Sequence, residues 1–193
     1  MEIVQEATPE EIQAYFKAKQ MTVLTFLGYS GAEYENKAGM LAQAAKILAQ
    51  FDPKSTIVNL GATPQGIGAV YDLAKRQGFL TSGIVSTQAK ENKAALSPHV
   101  DIVFYVQDDT WGGFLPGTRQ LSPTSRAMVE NSDVIVAIGG GEVARDELLA
   151  ARQLGKRLTY IPADLNHRLA REKARQKSQP DPTDFGGAAG TVF

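Results

Sequence analysis

Cysteine is absent from this 193-residue chain, and histidine occurs only twice, at His99 and His167. Disulfides, thiolate nucleophiles and thiolate zinc sites are thereby excluded, and too few soft ligands remain to expect a metal centre or a cofactor held through one. Charge of one sign is also missing. Twenty basic residues against 21 acidic ones leave a net -1, so no overall field draws the chain to nucleic acid or to an anionic membrane. An anionic ligand must therefore be met by local groups. No apolar run approaches the roughly 20 residues that a membrane span requires. The opening Met1–Glu6 is acidic and has no apolar core. The expectation is a cytoplasmic protein with no membrane partner.

Hydrophobic residues make up 43% of the chain, enough for a full core at the size of one domain. Thr8-Pro9-Glu10-Glu11 has capping-box spacing with proline at the first helical position, which predicts an amphipathic helix to about Lys19. We divide the chain into an N-terminal helix over 1–20, a central domain over 21–165, and a basic helix with a glycine-rich tail over 166–193. Within the middle segment, β-type runs alternate with helical ones. Strands are predicted at Thr22–Leu27, Ser55–Leu60, Leu80–Val85, Ile102–Val106, Val134–Ile138 and Leu158–Ile161. Met40, Leu41, Ala44, Ile47, Leu48 and Phe51 fall at helical spacing, and Gly66–Ala74 opens a further helix stopped at Gly78. Such alternation predicts an α/β fold, a doubly wound, mostly parallel sheet with helices on both faces.

Three of the strands run into glycine clusters: Gly28-Tyr29-Ser30-Gly31, Gly61-Ala62-Thr63 and Gly139-Gly140-Gly141. A strand that stops at glycine and hands over to a helix presents unpaired N–H groups and a positive dipole end, which suits a phosphate. Gly61 to Gly68 has Walker-like glycine spacing, but Ile67-Gly68 stand where lysine and serine or threonine are needed, so it is not an ATPase loop. The first turn also lacks the G-x-G-x-x-G order of a dinucleotide site. Candidate ligand-binding residues are Gly28, Ser30, Gly31, Gly61, Thr63, Gly66, Gly139, Gly140, Gly141, Glu142, Val143 and Ala144. A loop over 108–119 carries the single tryptophan, Trp111, with Phe114, several glycines and Arg119, and reads as a ligand lid whose aromatics either stack on a base or cover the core.

Gly61 to Gly78 and Gly139 to Glu147 resemble the glycine-rich turn and the G-G-G-x-G-T-x-x-E signature of the SLOG superfamily, named for the DNA-processing protein Smf and the Lonely Guy (LOG) proteins. The likeness spans about Val23 to Pro162. It implies glycine turns that hold a nucleotide phosphate, and in LOG enzymes a glutamate that works with an upstream arginine to cleave the N-glycosidic bond of a nucleoside 5'-monophosphate. On that pattern Glu147 takes the glutamate position. Val143-Ala144 stand where the signature has glycine-threonine. The arginine position falls on Thr124, with Arg126 two residues later and Arg119 in the preceding loop. The resemblance also implies a homodimer, with Met40–Phe51 or Glu147–Leu154 as candidate contacts.

Two functions stand open on these residues. In the first, Glu147 and Arg126 are catalytic and the protein is a phosphoribohydrolase; glycosidic cleavage needs charge stabilised on the ribose and help for the departing base. In the second, the same pocket senses or stores a nucleotide without turnover, in keeping with Val143, Ala144 and the displaced arginine. A DNA-associated role through the basic helix at Arg168 is disfavoured by the near-neutral charge.

Overall fold

The computed structural model describes residues 3–193. Seven parallel strands form one sheet: β1 (Ile3–Glu6), β2 (Thr22–Gly28), β3 (Thr56–Leu60), β4 (Leu80–Ser86), β5 (Ile102–Val106), β6 (Val134–Ile138) and β7 (Arg157–Ile161). Their spatial order is β1-β5-β4-β3-β2-β6-β7. From β2 the chain winds outward through β3, β4 and β5, then crosses back to place β6 on the other side of β2. The switch point therefore lies between β2 and β6, where such sheets open a crevice outside the carboxyl ends of their strands.

Helices cover both faces, as strands with no polar alternation require. Strands β3, β5 and β6 are buried along their whole length. On one face, α2 (Lys37–Leu48), α3 (Val70–Arg76) and the short α4 (Gln88–Glu91) contribute Met40, Ala44, Leu48, Val70, Tyr71 and Ala89 to a core with Leu24, Phe26 and Val136. On the other, α1 (Pro9–Lys19), α5 (Pro123–Glu130) and α6 (Glu142–Gln153) contribute Ile12, Phe16, Ala127, Met128 and Leu148 against Val23, Phe104 and Ile135. Residues Met40, Ala44 and Leu48 of the first candidate dimer helix thus face the sheet. Among the described residues no helix is long and apolar enough to cross a membrane.

The start of the chain departs from the sequence expectation. Thr8 caps α1 with the full capping box, as its spacing predicts. Ahead of it, however, Ile3–Glu6 is a strand paired in register with Ile102–Tyr105 of β5. Its ladder comes entirely from a segment about a hundred residues away, and a four-residue run carries little periodicity of its own. The tail also docks on the domain. After α7 (His167–Gln176), a 3-10 turn at Ala188–Val192 packs against α6 and buries Ala189 and Val192.

Candidate functional site

A cavity of about 620 Å³ opens at the carboxyl ends of β2, β3 and β4. Its walls bring together eight of the expected residues. Gly28, Ser30 and Gly31 come from the turn after β2, Gly61 and Thr63 from the turn after β3, and Val143, Ala144 and Glu147 from α6. The first two turns are joined directly, since Ser30 Oγ donates to Thr63 Oγ1 at 2.9 Å. Gly28 has no room for a side chain, because a Cβ there would meet the Tyr34 hydroxyl and stand 2.9 Å from the Ile138 carbonyl. Ile67, Ile84, Leu96, Met128 and Trp111 complete largely apolar walls. Among the described residues, no lysine or arginine lines the cavity.

The other expected residues stand elsewhere, each for a local reason. Gly66 sits in the left-handed region with its N–H on the chain's own anion, Glu33 Oε2, at 3.1 Å. The Gly139 N–H donates to the Ile161 carbonyl as part of the β6–β7 ladder. Gly140 is covered by the tail: its carbonyl accepts the Ala189 N–H at 3.0 Å, and the Ala189 methyl lies 3.1 Å from where a Cβ would sit. Gly141 is the N-cap of α6 without a side-chain cap, and Glu142 points to solvent. Arg126 faces away from the cavity and pairs with Glu10 at 2.8 Å on the surface. Arg119 is exposed at the tip of the 108–121 loop. Of the third glycine turn, the cavity receives only Val143 and Ala144, the first-turn residues of α6.

Glu147 is the chemical centre of the cavity. It is only 5% exposed, and burial, opposed by a hydrogen bond from Ser125 and reinforced by the nearby Asp146 charge, pushes its carboxyl up to about 7. Ser125 Oγ donates to Glu147 Oε1 at 2.7 Å. Asp146 itself is paired with the Arg145 guanidinium at 2.9 Å. A carboxyl held near neutrality can give or take a proton at physiological pH, but among the described residues no cation lines the cavity to stabilise charge on a sugar. Where the sequence resemblance places an arginine stands Thr124, 5% exposed, whose Oγ1 is the one buried side-chain polar atom without a hydrogen-bond partner among the described residues. Thr124 lines the same cavity as Glu147.

Ser125, Thr124 and Asp108 form a set that sequence reasoning missed, because its signal is tertiary. The Asp108 carboxylate is pushed up by burial, but bonds from the Thr124 N–H, at 2.9 Å, and from the Thr110 hydroxyl and N–H, both at 2.8 Å, hold it below the usual range on balance. It thereby fixes the start of the loop to the start of α5. Ser122 caps α5 and Pro123 opens it, a start that two adjacent residues encode; that its first turn faces the cavity is decided only by the fold.

No protein-family model and no curated protein matches the chain. Solved structures with the same fold do. The molybdenum cofactor carrier protein of Chlamydomonas reinhardtii superposes with a TM-score of 0.53 at 19% identity, over 89% of this chain and 96% of that one. The molybdenum cofactor binding protein of Rippkaea orientalis superposes with a TM-score of 0.53 at 18% identity, over 82% and 85%. At these identities the likeness is one of architecture. The class is a Rossmann-like fold, a single α/β domain with an all-parallel seven-stranded sheet.

Proposed function

We propose that this protein binds a nucleoside 5'-monophosphate, or a related phosphorylated heterocycle, in the cavity at the ends of β2, β3 and β4, and returns it unchanged. The observation that carries this reading is a large, mostly apolar cavity with a buried glutamate in its wall and, among the described residues, no lysine or arginine in its lining. The volume falls within the range of small-ligand sites, and apolar walls with a few convergent polar groups are their usual make-up. A single phosphate has its donors in the Thr63 hydroxyl, held in place by its bond from Ser30, and the uncapped first turn of α6. The two neighbours named for carrying or binding the molybdenum cofactor support a binding role. So does Arg126, whose partner is Glu10 rather than Glu147. The homodimer implied by the family resemblance and the cytoplasmic location expected from the acidic start and short apolar runs belong to the same reading.

A second reading, a phosphoribohydrolase with Glu147 as the acid, is favoured by one observation, the carboxyl held near neutrality. Calorimetric titration with a panel of nucleoside monophosphates, followed by chromatography of the recovered ligand, separates the two. Saturable binding with intact ligand is expected. Free base released by the wild type and abolished in Glu147→Gln transfers the protein to the hydrolases. No heat with any member of the panel removes both readings.

A further inference from the structure

Trp111 stands at the mouth of the cavity, 54% exposed and outside every aromatic pair and cation–π contact among the described residues. Large aromatic side chains gain most from burial, so a free ring on a rigid frame is out of keeping with a loop that merely covers the core. The frame is rigid. On one side of Trp111, Ser86 Oγ donates to the Thr110 carbonyl at 2.6 Å, and Asp108 takes the Thr110 N–H and hydroxyl. On the other, the Gly113 N–H donates to Ser125 Oγ at 2.7 Å and the Phe114 N–H to Asp146 Oδ2 at 2.9 Å.

Two adjacent glycines make that approach possible. Gly112 and Gly113 have φ of +124° and +84°, a region disfavoured for other residues. A Cβ on Gly112 would lie 3.0 Å from Ser125 Oγ and 3.1 Å from Val143 Cγ1, and one on Gly113 would lie 2.9 Å from Asp146 Oδ2. The chain is thus threaded tightly against α5 and α6, and the Trp111 ring is left over as the residue that the threading presents to the cavity.

Resting on the ligand reading above, we propose that Trp111 is the wall on which the flat heteroaromatic ring of the ligand stacks, and that Ser125 is the positioning residue that holds this wall in place. Ser125 is fully buried and uses its single hydroxyl twice, accepting from Gly113 on the loop and donating to Glu147 on the cavity wall. It therefore ties the stacking ring to the floor of the same site. The ligand class that follows is one with a planar ring system as well as a phosphate, which a bare sugar phosphate does not satisfy.

The chain's single tryptophan makes its emission a direct probe of this residue. Titration with adenosine monophosphate should quench or shift that emission with the dissociation constant measured by calorimetry, whereas ribose 5-phosphate should bind weakly and leave it unchanged. Trp111→Ala should weaken adenosine monophosphate by about tenfold or more, the usual worth of one stacked base, while Trp111→Phe keeps most of the affinity. Ser125→Ala should hasten tryptic cleavage at exposed Arg119 and weaken adenosine monophosphate, leaving the ribose 5-phosphate constant unmoved; a merely structural role would shift both ligands together. Asp146→Asn keeps an acceptor for Phe114 and should behave as wild type in the cleavage assay. Calorimetric binding with silent emission and an unchanged Trp111→Ala constant overturns the proposal and leaves the ligand reading standing. If no nucleoside monophosphate binds, the ligand reading falls and the stacking wall with it, while the cleavage rates of Ser125→Ala and wild type still decide whether Ser125 holds the loop.

Discussion

Replacing Glu147 with glutamine removes one ionisation and almost nothing else. The amide has the shape of the protonated acid, its carbonyl still accepts from Ser125 Oγ, and the Gly113 bond to that oxygen is untouched. The folded carboxyl titrates at about 7, against an ordinary value of 4.5. Below 4.5 both the folded and the unfolded chain hold the proton, and the group contributes no pH dependence. Between 4.5 and about 7 the unfolded chain releases it while the folded one retains it, so stability falls as pH rises; above about 7 the loss is complete. At roughly 1.4 kcal/mol per pH unit the interval amounts to about 3 kcal/mol. For a domain of this size that corresponds to roughly 6–12 °C in melting temperature. Thermal or urea unfolding of both proteins at pH 4.5, 6, 7 and 8 measures it. Every other ionisable group is common to the two chains and drops out of the difference. Glu147→Gln should gain on wild type steadily up to about pH 7 and then hold its advantage. A difference that stays flat over this range would mean that Glu147 ionises at its ordinary value, with water reaching it freely, and would refute the account of the cavity as a place that disfavours charge.

Ending the chain at Gly186 removes the buried Ala189 and Val192, the Ala189 bond to the Gly140 carbonyl and the Tyr160–Phe193 stack. The loss should be roughly 2–4 kcal/mol, seen as a lower urea midpoint. Because the tail lines no part of the cavity, the truncated chain should keep the ligand affinity of the full one. Asp101 is pushed up by its burial but held below its ordinary value on balance by Lys75 Nζ at 2.6 Å and the Thr81 N–H at 2.9 Å. Its contribution is therefore present above about pH 4 and lost as pH falls through the folded value. Asp101→Asn should cost about 2 kcal/mol at neutral pH, with the gap closing in acid, as denaturant melts at pH 7 and pH 3 will check.

Much of the fold was legible because its causes are local. A run such as Val134–Ile138 with no polar alternation, stopped by glycine and followed by a helical period, can hardly be anything but a buried parallel strand; β2 and β3 announce themselves in the same way, and β4, β5 and β7 by their β-rich runs alone. The capping box at Thr8 and the Ser122-Pro123 start of α5 are written in two to four residues each. Ile3–Glu6 is the exception, since its pairing partner is β5 and nothing within four residues can say so.

The site was legible only as a set of parts. The sequence by itself determined that glycine turns follow β2, β3 and β6 and that a glutamate stands in the helix after the last of them, because chain direction and turn chemistry are properties of neighbouring residues. Which turns share a cavity was decided by the strand order around the switch point and by what else packs there. The turn after β6 is occupied by a tail almost fifty residues downstream, Arg126 is taken by Glu10, and Glu147 owes its altered proton affinity to burial beside Ser125. Burial, charge pairing and the capping of a backbone carbonyl are relations between residues far apart in sequence, and only the folded chain brings them within a few ångströms of one another.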